Sequence, residues 1–268
     1  MTKLICEIGW NHLGKIKLAK KMIVAAKENG ADFVKFQNFN VKNLMPGPWD
    51  FDGRRELYTK SQMTLKKQNT LYKFCKKINI NFFSSVSSIN DAKMLLKTQN
   101  RYVKIPSMES RNLKLITFCS KKFKKIFLST GTSKLNEIKK SIKIIPKKKL
   151  ILLHCVSSYP CDLANANLPK INLLKKITKD VGFSDHTIGL TASLVSLNFK
   201  IKYIEKHFTI DQNLPGRDNK FAILPFELKI LSNFIQNWKK TIKNHGNNFL
   251  KCEEEVRYKY SGRWSKND

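Results

Sequence analysis

The feature that most constrains the fold is an eightfold alternation of short apolar runs with longer amphipathic, lysine-rich stretches. The apolar runs resemble buried parallel strands and cover residues 4–8, 33–36, 81–84, 102–105, 125–129, 150–155, 181–183 and 202–207. The stretches that follow them have helical periodicity and cover residues 16–29, 65–78, 89–98, 113–121, 135–145, 168–178, 190–199 and 225–243. Eight successive strand–helix units predict an α/β fold, the closed (β/α)8 TIM barrel.

The length fits this fold, since 268 residues suit one barrel of about 250 residues. We expect a barrel domain over residues 1–250 and a tail over 251–268. A doubly wound sheet is the structural alternative, but no G-x-G-x-x-G motif follows the first strand. The long connection 38–64 is interpreted either as a lid over the barrel mouth or as a surface insertion.

The net charge of +31 raises the question of a nucleic-acid partner. The charge is almost all lysine, spread over every predicted helix, and arginine is scarce. We therefore expect solvated surface and no nucleic-acid partner.

Six cysteines without a C-x-x-C pair indicate reduced thiols. No signal peptide or membrane-length apolar run is present in the sequence, so we expect a cytoplasmic protein without a membrane partner.

Charged and polar residues interrupt the predicted strands near their carboxyl ends. Glu7, Lys35, Gln37 and Lys104 lie there, and Glu205 shares a strand face with His207. A charged side chain inside a strand is costly unless it is paired or used. In a barrel the carboxyl ends of the strands meet at the active-site face. The pattern therefore predicts a polar site at that face.

Two histidines end neighbouring strands, His186 after the seventh and His207 in the eighth. Their imidazoles are expected to approach each other, which favours a divalent metal such as Mn²⁺ or Mg²⁺ over a closed zinc site. Two hydrogen-bonded core histidines are the alternative. Cations and hydroxyls at other strand ends favour an anionic substrate with a phosphate and a carboxylate. These residues are Lys35, Lys104, Ser85, Ser107, Ser129 and Ser184.

Several segments resemble, in order, the motifs of the N-acetylneuraminate (sialic acid) synthase family. They are residues 7–14 (EIGWNHLG), 30–37 (GADFVKFQ), 104–107 (KIPS), 129–131 (STG), 154–160 (HCVSSYP), 182–189 (GFSDHTIG), 205–209 (EKHFT) and 214–218 (LPGRD). The resemblance extends from about residue 3 to residue 264. It implies condensation of phosphoenolpyruvate with an N-acyl hexosamine, similar to N-acetylmannosamine, in its open-chain aldehyde form. The products would be a nonulosonic acid and phosphate, released by C–O cleavage.

The resemblance also implies roles for single residues. His186 and His207 would ligate the metal, while Glu7 and Gln37 would line the reacting centre, with Glu7 handling the attacking water. Phosphoenolpyruvate would be held by Lys35, Lys104, Ser129, Ser157 and Ser184, assisted by Ser85 and Ser107. The sugar would meet Glu109, Tyr159 and Asp218. Family members are usually homodimers, which makes a homodimer the candidate assembly.

The sequence departs from the family pattern at several positions. The third-strand motif reads Ser84-Ser85-Val86-Ser87-Ser88 and lacks the usual proline and aspartate, Ser157 replaces a common asparagine, and Asn219 a common histidine. We also expect the chain to lack the family's C-terminal antifreeze-like domain.

Two alternative functions stay open. One is an aldolase or related synthase, with Lys104 or Lys206 as a Schiff-base candidate, and the other is a degenerate barrel that binds sugar or nucleic acid.

Overall fold

A computed structural model describes residues 2–265 of the chain. Eight parallel strands form one closed barrel in sequence order, and β8 pairs with β1. The strands are β1 Lys3–Gly9, β2 Phe33–Asn38, β3 Asn81–Val86, β4 Tyr102–Ile105, β5 Lys125–Ser129, β6 Leu150–His154, β7 Val181–Asp185 and β8 Tyr203–His207. The predicted TIM barrel is confirmed.

Helices connect the strands on the outside of the barrel. They are α1 Ile16–Glu28, α2 Arg54–Ser61, α3 Leu65–Lys77, α4 Ile89–Leu96, α5 Leu113–Lys122, α6 Leu135–Ile142, α7 Lys170–Lys175, α8 Thr191–Ser196, α9 Arg217–Phe221 and α10 Pro225–Thr241. Side-chain oxygens at the first turns fix where several of them begin. Thr64, Ser88 and Asn112 accept backbone N–H groups that have no partner within α3, α4 and α5.

The predicted strands all exist, with boundaries that differ by at most two residues. The helices differ more. Two short helices, α2 and α9, lie in segments that the sequence pattern assigned to loops. The predicted helix 135–145 ends three residues early, at Ile142. Pro146 disfavours an α conformation at Ile145, the residue that precedes it. The helix predicted over 168–178 shortens to α7.

Aromatic residues fill the lower part of the barrel. Phe33, Phe83, Phe127, Ile5, Ile151 and Leu153 form a buried cluster, against which Tyr102 and Tyr203 pack. Ring centroids lie 5.0 Å apart for Phe83 with Phe127 and for Phe127 with Tyr203, close enough for each pair to contribute about 0.5–1.5 kcal/mol beyond burial. This cluster closes the barrel beneath the polar layer, so the charged groups above it are separated from water on that side.

The chain divides into two compact units, Met1–Ile235 and Gln236–Asp268. The first contains the whole barrel. The predicted domain division at residue 250 stays a prediction, and residues 266–268 of the predicted tail lie outside the described residues. No helix in residues 2–265 is both long enough and apolar enough to cross a membrane.

Candidate active site

Strand register brings the polar residues together at the carboxyl end of the barrel. Glu7 lies level with Lys35 on one side and with His207 on the other. Ser184 lies level with Glu205, and Ser85 with Lys104. These side chains point inward because they alternate with residues that face the helices. They line a cavity that opens to solvent.

Two carboxylates and two ammonium groups form a buried network across the cavity floor. Lys104 Nζ donates to Glu205 Oε1 over 2.7 Å, and Ser184 Oγ donates to the same oxygen over 2.8 Å. Lys35 forms an ion pair with Glu7 and lies 3.7 Å from the second oxygen of Glu205. All four charged side chains are buried. Removing any one of them leaves a buried charge without its partner.

The two carboxylates have different proton affinities because their surroundings differ. Burial raises the pKa of Glu7 to about 7, with Lys35 opposing the rise and Glu205 adding to it. Burial also disfavours the ionised form of Glu205, but Lys104 and Lys35 together lower its pKa to about 2. The two lysines therefore favour the ionised form of Glu205, whereas burial favours the protonated form of Glu7.

The pKa values of the two lysines also depend on the balance between burial and neighbouring charges. Burial favours neutral Lys35, but Glu205 and Glu7 outweigh it and raise the pKa of this ammonium group. The pKa of Lys104 is lowered, chiefly by burial, with Glu205 opposing. Lys35 is thus a fixed cation, which suits it to bind an anion.

A backbone irregularity positions Glu7. The β1–β2 register shifts between Glu7 and Gly9, and Gly9 has φ +53°. A Cβ at Gly9 would lie 3.0 Å from Glu7 Oε1 and 3.1 Å from Gln37 Nε2. The glycine leaves room for Gln37 Nε2 to donate to Glu7 over 2.7 Å. Glu7 and Gln37, both expected at the reacting centre, thus lie in contact.

Small polar groups pack closely around Gly131. Its N–H donates to Ser107 Oγ over 3.2 Å, and that hydroxyl lies 2.9 Å from Cys155 Sγ. A Cβ at Gly131 would lie only 2.7 Å from Ser107 Oγ and 2.8 Å from Cys155 Sγ, so only glycine leaves these side chains in place. Ser157 Oγ is buried there without a hydrogen-bond partner. A buried hydroxyl without a partner, next to one that lines the cavity, is available to a bound anion.

His186 and His207 meet as predicted, with ring centroids 5.7 Å apart. His186 Nδ1 faces the carbonyl of Val156 at 2.7 Å, so it donates and leaves Nε2 as the acceptor nitrogen. Burial lowers the pKa of His186 to about 4 and that of His207 well below its usual value. Both imidazoles are therefore neutral at neutral pH, the form that binds metals.

The histidine pair fits a divalent cation with an open coordination sphere. His207 Nδ1 is buried and has no hydrogen-bond partner, and Asp218 Oδ2 lies 3.6 Å from it. Within residues 2–265, no three His, Cys, Asp or Glu side chains form a ready-made ligand cluster. Water and substrate oxygens would have to complete the coordination, which suits Mn²⁺ or Mg²⁺ better than structural zinc.

A buried ion pair supports the backbone next to both histidines. Asp185 precedes His186, and Lys206 precedes His207. Asp185 and Lys206 lie opposite each other in the β7–β8 register. Lys206 Nζ lies 2.9 Å from Asp185 Oδ2 and donates to the carbonyl of Thr187 over 2.6 Å. Asp185 Oδ1 accepts the N–H of Thr187 over 2.8 Å. Lys206 does not line the cavity, so it is not in position to form a Schiff base there.

Most of the predicted site residues line this cavity. They are Glu7, Lys35, Gln37, Ser85, Lys104, Ser107, Ser129, Tyr159, Ser184, His186 and His207. Ser157 lies behind Gly131, and Asp218 lies behind His207. Glu109 is half-buried and accepts Asn112 Nδ2 over 2.8 Å, away from the cavity wall. The roles assigned to these residues stay predictions.

Sequence reasoning placed Glu205 among the polar residues at the strand ends but missed its role in the site. The sequence contained a pattern that indicates this role. Glu205 shares a strand face with His207, and Lys104, which also interrupts an apolar strand, is a cation that a buried carboxylate could pair with. Cys155 was missed too, although it continues the inward-facing series of Ile151 and Leu153. The other cavity residues not predicted are Phe39, Ser87, Pro106 and Met108.

Comparison with known proteins agrees with this geometry. The NeuB family model matches residues 22–247. The chain belongs to the NeuB family. It is 36% identical to an N,N'-diacetyllegionaminic acid synthase of Campylobacter jejuni over 258 residues, which cover 90% of this chain and 77% of that protein. It is 28% identical to a pseudaminic acid synthase of the same species, over 94% of this chain and 77% of the relative.

A solved structure extends the comparison to three dimensions. The crystal structure of N-acetylneuraminic acid (sialic acid) synthetase from Leptospira borgpetersenii superposes with a TM-score of 0.84 at 31% identity. The match covers 98% of this chain and 93% of that one. This NeuB-family chain is therefore an enzyme of the synthase type.

Proposed function

We propose that this chain condenses phosphoenolpyruvate with the aldehyde form of an N-acyl hexosamine to give a nonulosonic acid and phosphate, with a divalent metal bound. One observation carries the proposal. A single cavity is lined by two buried ammonium groups, by the hydroxyls of several serines, by two imidazoles and by the carboxyl group of Glu7, whose pKa is raised by burial to about 7. The names of the relatives supply the class of product.

The anionic donor fits the cationic side of the cavity. Lys35 is held charged by Glu7 and Glu205, and it can bind the donor carboxylate or phosphate. Ser107 lines the cavity, and its hydroxyl, with the unpartnered hydroxyl of Ser157 nearby, is suited to bind the phosphate.

Glu7 is suited to move the proton of the attacking water. In the condensation, the enol carbon forms a bond to the aldehyde carbon, and the carbon that bears the phosphate ester becomes electron-poor. Water adds to that carbon, and its C–O bond to phosphate then breaks. A carboxyl group with a pKa of about 7 can accept the water proton at neutral pH and return it. Gln37 holds this carboxyl group in place.

His186 and His207 are the residues that would hold the metal. The bound cation would supply Lewis-acid polarisation of the aldehyde oxygen. Tyr159 packs against His186 with ring centroids 4.2 Å apart, so its ring offers an apolar wall beside the acceptor. The carbonyl of Val156 fixes the orientation of the His186 ring.

The segment 38–64 is suited to contact the acceptor sugar from above. Phe39 lines the cavity, and Tyr58 of α2 packs on Trp10 with centroids 5.2 Å apart. Deletion of the exposed tip around Phe51 is expected to raise the KM for the sugar and to spare the KM for phosphoenolpyruvate. Steady-state kinetics with each substrate varied in turn measures both. An unchanged sugar KM would contradict this role.

The proposal as a whole is tested by phosphate release from phosphoenolpyruvate with Mn²⁺ and a panel of N-acyl hexosamines. We expect release only with a sugar and with metal present, and a product that contains the carbons of both substrates. His207→Ala is expected to abolish release while the fold is retained. Release that is indifferent to the sugar would refute the proposed reaction. Borohydride trapping of pyruvate on Lys104 would favour the aldolase instead.

A further inference from the structure

The positive charge is concentrated at the amino end of the barrel, opposite the cavity. Each strand from β2 to β8 is preceded by at least one lysine, which lies in the last turn of the preceding helix or in the connection that follows that helix. For β1, the first residue of the strand itself is Lys3. At the cavity end, the connections 87–88, 155–161 and 186–190 contain neither lysine nor arginine, and 10–15 and 130–134 contain one lysine each. The basic residues in 39–64, 106–112 and 208–224 are accompanied by carboxylates. A bias in composition alone would distribute lysines over both ends, so the asymmetry calls for a separate explanation.

The charge is densest where two neighbouring connections meet. Six exposed lysines form what we call the basic patch: Lys121, Lys122, Lys124, Lys143, Lys147 and Lys148. The two segments touch, because Lys125 Nζ donates to the carbonyl of Lys148 over 2.8 Å and Lys149 Nζ to that of Ser120 over 2.6 Å. Residues 121–125 and 143–149 contain no carboxylate. Like charges held this close destabilise the folded protein unless a polyanion binds them.

Steering of the substrate does not account for the basic patch. The cavity opens at the carboxyl ends of the strands, and the patch lies at their amino ends. Exposed charges separated by more than about 8–10 Å are largely screened at physiological ionic strength. An anionic substrate at the cavity mouth, beyond the length of the strands, therefore gains little from these lysines.

We propose that the amino end of the barrel docks electrostatically on an anionic lipid bilayer surface, with the cavity facing away from it. Lysines surround the whole end of the barrel, and a ring of charges matches a plane better than it matches the groove of a nucleic acid. The cations are lysine, a point charge without the planar guanidinium by which arginine stacks on bases and binds phosphate with two hydrogen bonds. The patch offers no ring for base stacking, since Phe123 is buried.

The expected interaction is peripheral and sensitive to salt. Of the apolar residues in 121–125 and 143–149, Phe123 and Ile145 are buried and Ile144 is half-buried, so these segments offer no fully exposed apolar side chain to the hydrocarbon region. Each lysine near an anionic surface contributes about fivefold in affinity, which corresponds to about 1 kcal/mol. Reversal of three of them is expected to weaken vesicle binding by about 100-fold or more.

The test is sedimentation of the full-length protein with vesicles of equal parts phosphatidylglycerol and phosphatidylcholine, compared with pure phosphatidylcholine. We expect binding to the anionic vesicles only, with loss in high salt. The triple variant Lys121→Glu, Lys147→Glu, Lys148→Glu should lose this binding. The matched control Lys17→Glu, Lys66→Glu, Lys73→Glu changes the net charge equally at exposed positions of α1 and α3, and should retain most of it.

Phosphate release by both triple variants is expected to equal that of the wild type, which shows that each variant folds. Equal loss of vesicle binding in the two variants would overturn the proposal, because net charge alone would then explain binding. Absence of vesicle binding, with tight binding to RNA that depends on the patch, would overturn it in favour of a nucleic-acid partner. Absence of binding to either polyanion would also overturn it.

Discussion

Replacement of Glu205 by glutamine tests the buried charge network most sharply. Glu205 accepts Lys104 over 2.7 Å and Ser184 over 2.8 Å, and its other oxygen lies 3.7 Å from Lys35. Glutamine keeps the shape but removes the charge, so Lys104 loses the carboxylate with which it pairs, while Lys35 keeps Glu7. Loss of one partner from a buried ion pair costs about 3–5 kcal/mol. The lower figure is expected here, because the amide oxygen still accepts one hydrogen bond.

A loss of about 3 kcal/mol corresponds to a fall in Tm of about 6–12 °C for a chain of this size. Thermal unfolding followed by circular dichroism measures the change. The matched control is Glu56→Gln, which removes an exposed ion pair with Lys60 and should leave the Tm unchanged.

The same variant is expected to move the pH dependence of the reaction. In the wild type the acid limb of kcat/KM should have its midpoint near pH 7, the pKa of Glu7. Glu205 raises that pKa, so its neutralisation should lower the pKa of Glu7 and shift the limb to lower pH. The two histidines stay neutral across this range and do not contribute. A Tm within a degree of the wild type, or a limb that does not move, would refute the description of the network.

Further predictions concern the serine hydroxyls beside Gly131 and the support of the histidines. Gly131→Ala places a Cβ 2.7 Å from Ser107 Oγ and closer still to Ser157 Oγ, so both hydroxyls must shift. Loss of one hydrogen bond to a charged group costs about 1.5–3 kcal/mol, so we expect the KM for phosphoenolpyruvate to rise by about tenfold or more, and an unchanged KM would contradict the proposed role of these hydroxyls. Lys206→Met leaves Asp185 buried without its cation and should cost about 3–5 kcal/mol in urea unfolding. The double variant Asp185→Asn, Lys206→Met should recover part of that loss, and additive losses would show that the pair is not coupled.

The barrel and most of the cavity wall follow from patterns that the sequence displays. Short apolar runs set the eight strands, and parity along each strand shows which residues point inward. Lys35, Lys104 and His207 could be placed at the cavity in this way because each interrupts an apolar run near a strand end. The pairing of strands in sequence order then brought them together.

Other features depend on contacts between distant segments. The helix α2 has weak amphipathic character, and its position beside Trp10 is a tertiary contact. Asp218 was expected to face the sugar, but its location behind His207 depends on the path of the chain after β8. The assignment of Glu205 as an anion and Glu7 as a proton carrier required the distances to both lysines.

In the proposed reaction, phosphoenolpyruvate loses phosphate by cleavage of its C–O bond after water adds to the ester carbon. The most direct test uses phosphoenolpyruvate with a heavy-oxygen label in the bridging position, turned over with Mn²⁺ and the accepted sugar. Mass spectrometry of the phosphate and of the sugar acid then locates the label. Recovery of the label in the phosphate is the predicted result. Recovery in the sugar acid would mean P–O cleavage and would contradict the proposed reaction.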